Sequence, residues 1–528
     1  MSSGLSFCPL IYSESALFVS VHLDRFNSWD PTGVIQMLIN LKSLEASVSS
    51  VHATKSSSGI YGLPYWIVLL LVAVVLIGRL FIVPSRLRHL PRVPILPLLK
   101  SYLSMEPEDT RIRNLILPFA DAHQEGIVLV WVLGRWMVHI LDQQLCDDIA
   151  LYPKEKPPND SLLWHLIGNS NILVSNATQW KKQSRLINDA INLQMPVDQF
   201  VHLAQNVEKL LGEGTNTVRW DEFSQRFAVD ALGSTVFGHD FEALKEQSMF
   251  VREYNGVMSG IADPVYLIAP ILERLVPRTT LIRRIDTLIE RFVALLQAKQ
   301  NSPGDDMMSY MLRDPDMSQK ELRDNMILLF ISGHDTSAGA LSTLFYFLAT
   351  NPATQRRARE EIASVIGPTA DFTAENLGAN SLPFLNACIR ESLRINTPIS
   401  YVVPRMSTAD AQLGRYAIPA GTSLTVDIYA IHHTASFWED PHVFRPERFE
   451  VDRMKAWVPF ALGPRQCPAR NFAMYEQRAL AAVLLRDYEW ELPEGSKHTD
   501  AIQNAFSPFA LTVPHELHLM FRKLRPEA

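Results

Sequence analysis

The sequence predicts a mainly helical protein with a smaller amount of β structure. Two stretches rich in β-branched and aromatic residues, 127–133 and 136–141, flank the turn at Gly134 and predict a β-hairpin. A long apolar segment, 322–350, predicts a helix that crosses the interior of a domain. Apolar residues at spacings of three and four predict further amphipathic helices in three segments: 197–211, 220–236 and 280–300.

The long helix carries a polar interruption where a core helix should be apolar. It begins at a capping box formed by Ser318 and Glu321, and residues 332–337 in its middle read Ser-Gly-His-Asp-Thr-Ser. A buried carboxylate requires a partner, so this conflict with the apolar pattern indicates a functional site. Asp335 and Thr336 are the candidates for moving and holding protons. The alternative is a kinked structural helix whose threonine bonds back to the preceding turn.

Composition excludes several classes of function. A chain of 528 residues with 47% hydrophobic residues can bury a large core, as one unusually large domain or as two or three ordinary ones. The net charge of -7 and the absence of a basic run argue against nucleic-acid binding. The four cysteines form no C-x-x-C pair, which argues against a disulfide framework or a zinc site and fits a reducing, cytosolic environment.

The N-terminal part predicts a membrane anchor. Residues 60–83 form a candidate transmembrane helix because no charged residue occurs from Ile60 to Gly78. More basic residues follow this segment than precede it, which places the C-terminal bulk of the chain in the cytosol. The alternative is a buried core helix. A proline-rich hinge over 84–99 and a globular domain over 100–528 come next, and residues 1–59 form a Ser-rich extension without an assigned role.

Cys467 lies in a stretch that predicts a haem-binding loop. Residues 459–469 read Pro-Phe-Ala-Leu-Gly-Pro-Arg-Gln-Cys-Pro-Ala. A sulfur that approaches iron needs a tight turn before it, a counter-charge for the haem propionates and an aromatic wall beside the ring. Gly463, Arg465 and Phe460 would supply these three features in that order, and Cys467 would be the axial thiolate ligand of the iron.

With the cysteine loop and the interrupted helix, the chain resembles the cytochrome P450 family, in particular its membrane-anchored microsomal type and its fungal biosynthetic members. An E-x-x-R motif at Glu391 and Arg394 and a P-E-R-F element that contains Arg448 also match. Because E-x-x-R recurs at 108–111 and 450–453, only order and context select Glu391. The resemblance implies that these three residues form a buried ion network with a structural role.

The resemblance implies a fold, a chemistry and partners. The expected fold is a single P450 domain, mainly α with a small β-rich lobe, and the expected cofactor is haem b. The expected activity is the insertion of one oxygen atom from O2 into a lipophilic small molecule, with NADPH and flavins acting only through a separate NADPH–cytochrome P450 reductase. The expected location is the endoplasmic reticulum membrane, in a single pass, and secondary metabolism is the expected setting. By position, five side chains would face the substrate: Phe330, Ile399, Tyr401, Val402 and Phe509.

One departure from the family concerns the haem propionates. The family binds a propionate through a tryptophan and an arginine four residues later, but Trp180 is followed by Ser184 at that spacing. Trp180 can still donate its indole N–H, while Arg465 and Arg405 can neutralise the propionates. The basic residues on the same segment form either a docking surface for the redox partner or a solvated helix face: Lys181, Lys182 and Arg185.

Two other functions remain open from the sequence. One is a haem-thiolate isomerase or dehydratase that needs no external electrons, although Asp335 and Thr336 argue against it because such chemistry needs no proton delivery to dioxygen. The other is a membrane-anchored haem protein without catalytic activity.

Overall fold

A computed structural model describes residues 78–79, 81–132, 134–151, 154–156, 161–193, 195–245, 248–451, 456–507 and 509–524. The chain divides into a short unit, Met1–Ser85, and a large compact unit, Arg86–Ala528. Most of the predicted transmembrane segment, residues 60–77 and 80, lies outside the described residues. Within the described ranges, no helix has both the length and the apolar composition needed to cross a membrane.

The large unit is mainly helical, which confirms the predicted helical class. Its first helices are α1 (Ile95–Leu103), α2 (Glu108–Arg111), α3 (Leu117–His123), α4 (Gln143–Leu151), α5 (Leu162–Ile167), α6 (Ala177–Asn192), α7 (Val197–Leu211), α8 (Trp220–Leu232), α9 (Met249–Ile261), α10 (Pro264–Ile268) and α11 (Leu272–Leu275). The later helices are α12 (Thr279–Asn301), α13 (Met307–Leu312), α14 (Gln319–Thr350), α15 (Pro352–Val365), α16 (Pro383–Ile395), α17 (Ile428–His433), α18 (Arg448–Val451) and α19 (Arg470–Asp487).

Small sheets accompany the helices. The strands are β1 (Ile127–Val132), β2 (Arg135–Ile140), β3 (Lys154–Glu155), β4 (Thr215–Arg219), β5 (Arg405–Ser407), β6 (Ala411–Leu413), β7 (Tyr416–Ile418), β8 (Ser423–Val426), β9 (Tyr488–Glu491) and β10 (His518–Lys523). The largest sheet has the order β1-β2-β8-β5-β3, and the predicted hairpin forms its edge, with Ile127 opposite Ile140. The other two sheets are β4-β10-β9 and β6-β7.

The predicted helices form where the periodicity places them. Helix α7 has the predicted bounds, whereas α8 ends four residues early because the chain continues as a π-helical turn, Gly233–Phe237. Helix α14 begins at the predicted capping box, in which the Ser318 N–H donates to Glu321 Oε2 at 2.9 Å. Most side chains of α14 from Ser337 onward are buried, so this helix forms the centre of the domain.

The compact unit begins before the predicted boundary. Residues 86–99, predicted to form a hinge, pack onto the domain instead, because Leu90 and Val93 are buried and the Val93 N–H donates to the Leu129 carbonyl at 3.0 Å. Helix α1 then starts at Ile95, directly after Pro94. The prolines therefore shape a packed segment of the large unit.

Candidate active site

The cysteine loop is a tight turn that leads into helix α19. The Cys467 N–H donates to the Phe460 carbonyl at 2.9 Å, and the Gln466 N–H donates to the Gly463 carbonyl at 3.0 Å. Gly463 has a φ of 70°, in the left-handed region, and no atom lies within 4 Å of the position a Cβ would take. The backbone angle, rather than crowding, therefore favours glycine here. Phe460 is half-buried beside Trp457, with ring centroids 6.0 Å apart.

Cys467 is exposed to an open pocket at the start of α19. Asn188 and Asn192 of α6 line the same pocket, together with Arg470. Although the residue is exposed on its pocket side, the protein atoms around the sulfur raise the pKa of the Cys467 thiol, and the backbone N–H of Ala469 partly opposes this shift. A bound metal cation would overcome it, since a coordinated thiol is deprotonated.

A cluster of cations lies beside this loop. Arg465 donates from Nη2 to the Ser175 carbonyl at 2.8 Å, and its guanidinium carbon lies 4.5 Å from the centroid of the Trp180 ring. Lys156 donates from Nζ to the Val403 carbonyl at 2.9 Å, two residues before Arg405. Burial lowers the pKa of Lys156. The positive charges of Arg405 and Arg465 are close enough to lower it further.

This cluster lacks negative partners in the part of the chain that the structure describes. No Asp or Glu forms an ion pair there with Lys156, Arg405 or Arg465, and Nη1 of Arg465 is buried without a hydrogen-bond partner. Burial and the neighbouring Arg405 lower the pKa of Arg465 to about 10. Because cations that are removed from water are normally paired, this half-buried cluster is suited to bind an anion.

Asp335 and Thr336 project from consecutive positions of α14, which runs through the polar stretch without interruption. The Thr336 hydroxyl donates to the Ser332 carbonyl at 2.6 Å, the bond expected for the alternative structural interpretation. Asp335 Oδ2 instead accepts from the Tyr254 phenol of α9 at 2.6 Å. Consecutive helical residues point about 100° apart, so the carboxylate and the hydroxyl point in different directions.

Packing explains the glycine in the same stretch. A Cβ on Gly333 would lie 2.6 Å from Cδ1 of Leu232, so glycine lets α14 approach α8 closely. His334 next to it is fully buried, with Nε2 at 3.0 Å from Asp335 Oδ1. Burial lowers the pKa of His334, but the Asp335 charge and hydrogen bonds to Asp335 and to the Phe330 carbonyl outweigh it, so the pKa is raised.

Glu391, Arg394 and Arg448 form the ion network that the resemblance implies. Glu391 accepts from Nε of Arg394 at 2.8 Å and from Nη2 of the same residue at 2.9 Å. Nε of Arg448 donates to the same carboxylate at 3.0 Å, and all three side chains are buried. Arg394 also donates to the carbonyls of His432 and Pro441 at 2.8 Å each, so the network joins several segments.

Comparisons with known proteins identify the family to which the chain belongs. The cytochrome P450 family profile matches residues 91–518. The chain belongs to the cytochrome P450 family. It is 29% identical to rat cytochrome P450 4F1, over 60% of this chain and 67% of that protein. It is 27% identical to the cytochrome P450 monooxygenase xanG of Aspergillus fumigatus, over 78% of this chain and 84% of that protein.

Solved structures agree on the fold. The crystal structure of the cytochrome P450DA heme domain superposes with a TM-score of 0.70, at 20% identity, over 83% of this chain and 97% of that one. The chain is therefore a cytochrome P450 monooxygenase, and its family implies a haem-thiolate cofactor.

The residues present fit a haem of this P450. A haem carries two propionates, and Nη1 of Arg465 together with the half-buried Lys156 and Arg405 would provide their counter-charges. The sequence offered no signal for Lys156, because it is distant along the chain from both Arg405 and Arg465. Trp180 lies beside the same cluster, through its contact with Arg465.

The five side chains predicted to face the substrate separate into two groups. Ile399, Val402 and Phe509 are half-buried. Phe330 lies in the core instead, with its ring centroid 5.3 Å from that of Phe292, because α9 and α12 cover this face of α14. Tyr401 is also buried, with its ring 5.1 Å from that of His139.

A further titratable group of this P450 lies in the core and was not predicted. Glu476 of α19 is 1% exposed, and its carboxyl accepts a hydrogen bond from the Ser337 hydroxyl at 2.5 Å. No cation pairs with it among the described residues, so burial raises its pKa to about 8. Ser337 follows Thr336 directly, which connects this acid to the polar stretch of α14.

Proposed function

We propose that this P450 inserts one oxygen atom from O2 into a lipophilic small molecule, with Cys467 as the thiolate ligand of a haem b. The observation that carries this proposal is the cysteine loop next to a half-buried cation cluster with which no Asp or Glu of the described ranges pairs. Haem bound in this way supplies the activation of O2, with the second oxygen atom leaving as water.

The chain's own residues would hold and orient that haem. Arg465 and Arg405 would neutralise the propionates, and Trp180 would donate its indole N–H to one of them. Gly463 would keep the turn tight enough for the sulfur to reach the iron, and Phe460 would cover one side of the ring. The ion network of Glu391 would fix the surrounding segments without taking part in the chemistry.

Asp335 and Thr336 would control proton delivery on the other side of the haem. The Thr336 hydroxyl uses its hydrogen within the helix, so its oxygen keeps lone pairs that can accept a hydrogen bond from water. Asp335 is largely buried, with 16% of its side chain exposed, and would pass protons inward from solvent. This pair supports oxygen activation over a haem isomerase, which needs no protons for dioxygen.

The apolar side chains at the positions predicted to face the substrate favour a lipophilic substrate. The half-buried Ile399, Val402 and Phe509 would contact it. One similar protein carries a name that points the same way: the mouse leukotriene-B4 omega-hydroxylase 3, at 29% identity. Hydroxylation or a related oxidation in secondary metabolism is the activity that we propose.

We also propose a membrane location at the endoplasmic reticulum, with the catalytic domain in the cytosol. Helices α1 and α10 contact each other, and each exposes large apolar side chains to the outside. Leu96 of α1 is 76% exposed, Leu103 is 61% exposed, and Val265 of α10 is 52% exposed. Such a patch suits contact with a lipid surface.

Electrons would come from a separate NADPH–cytochrome P450 reductase. Lys181 and Arg185 of α6 are exposed and available for docking, and α6 also lines the pocket at Cys467. Lys182 is engaged elsewhere, since its Nζ lies 3.2 Å from Oε2 of Glu321.

The experiment that tests this function uses the full haem-loaded chain. A panel of lipophilic compounds is screened by optical difference spectra, and each compound that binds is incubated with reductase, NADPH and O2. We expect a product one oxygen atom heavier than the substrate, formed only with reductase and NADPH. Product formation without reductase would favour an isomerase or dehydratase, and binding without any product would favour a non-catalytic haem protein.

A further inference from the structure

Three helices converge on the carboxylate of Asp335. The Tyr254 phenol of α9 donates to Oδ2 at 2.6 Å, and His334 of α14 lies 3.0 Å from Oδ1. Gln225 of α8 lies near this carboxylate and helps to lower its pKa. Gln225 is itself fixed by Asn255, which exchanges two amide hydrogen bonds with it at 3.2 and 3.3 Å. These are the polar and titratable groups that face Asp335 among the described residues.

Tyr254 is held in place from several directions. Its side chain is 1% exposed, and its ring centroid lies 5.4 Å from that of Phe330 and 4.9 Å from that of His334. Burial and the Asp335 charge raise the pKa of the Tyr254 phenol well above its usual value, so it stays protonated and always donates. A hydrogen bond to an ionised group is stronger than one between neutral groups.

The bond directs Asp335 away from Thr336. The two residues are adjacent on α14, but the carboxylate points to α8 and α9 while the Thr336 hydroxyl bonds to Ser332 of its own helix. A proton carried by Asp335 therefore reaches the Thr336 side only after the carboxylate leaves the phenol.

We propose that Tyr254 is a positioning residue that restrains Asp335 and so lets α9 set the rate of proton delivery. The inference rests on the proposed role of Asp335. Loss of a hydrogen bond to an ionised group changes an equilibrium by roughly tenfold to a hundredfold, so the released carboxylate should reorient far more readily.

The test compares Tyr254→Phe, Asp335→Asn and the double variant in the full haem-loaded protein with reductase. NADPH oxidation is measured without added substrate, in H2O and in D2O. We expect Tyr254→Phe to increase the rate, to reduce the solvent isotope effect and to shift the acidic limb of the pH profile upward. In the Asp335→Asn background the same replacement should change none of these quantities.

Tyr346→Phe is the matched control, because this phenol of α14 is also buried and donates to a neutral backbone carbonyl, that of His498 at 3.1 Å. If Tyr254→Phe only lowers thermal stability, as the control does, and leaves the rate and isotope effect unchanged, the positioning role is refuted. If Asp335→Asn itself has no effect on proton-dependent turnover, the proposed role of Asp335 fails, and this inference fails with it.

Discussion

Replacing Glu476 by glutamine should remove a loss of folding stability that wild type suffers as pH rises. The carboxyl is buried, has the Ser337 hydroxyl as its hydrogen-bond partner and has no cation nearby among the described residues. Its pKa rises from 4.5 to about 8 because burial disfavours the charged form. Glutamine has the same shape, can accept the same hydrogen bond and carries no charge at any pH.

The sign and size of this change in stability follow from proton linkage. Between pH 4.5 and about 8 the folded state keeps the proton that the unfolded state has released, so stability falls as pH rises through this window. One pKa unit corresponds to about 1.4 kcal/mol, so the full loss amounts to roughly 4 to 5 kcal/mol by pH 8. Most of it, about 3 kcal/mol, is already present at pH 7.

The assay measures the stability of haem-loaded wild type and of Glu476→Gln at pH values from 5 to 9. Stability is determined by thermal or urea denaturation. The variant should gain stability relative to wild type as pH rises, and its advantage should level off only above about pH 8. The exposed Glu494→Gln serves as the matched control and should give a constant difference. A constant difference for Glu476→Gln as well would refute the assignment of a neutral buried acid.

Two other replacements test the Glu391 ion network and the proposed role of Thr336 in oxygen activation. Glu391→Gln leaves two buried arginines without their counter-charge and should cost about 3 to 5 kcal/mol of folding free energy, measured by denaturation. Glu450→Gln, which breaks a half-exposed pair with Arg357, should cost at most about 1 kcal/mol, and equal losses would contradict the structural role of Glu391. Thr336→Ala should retain haem but divert electrons from product formation to hydrogen peroxide. An unchanged product yield per NADPH would refute the role of Thr336 in oxygen activation.

Local sequence signals predicted much of the fold. Periodicity gave the bounds of α7, and the capping box gave the start of α14, because both depend on residues that are close along the chain. Spacing alone was less informative. The E-x-x-R motif at Glu108 and Arg111, set aside for lack of context, also forms a buried ion pair, since residues three apart meet on any helix.

The missed features depend on contacts between distant segments. Phe330 has the apolar pattern of a pocket residue, but its place is decided by α9 and α12, which cover it. Lys156 meets Arg405 and Arg465 only through the fold. The partner of Asp335 could not be predicted either, because Tyr254 precedes it by 81 residues.

The carbon monoxide difference spectrum of the reduced protein tests the central claim most directly. Wild type should show the band typical of a thiolate-ligated haem, and Cys467→Ser should lose that band. Cys146→Ala, which changes a buried cysteine outside the site, should keep it. A thiolate-type band retained in Cys467→Ser would contradict the assignment of Cys467 as the haem ligand.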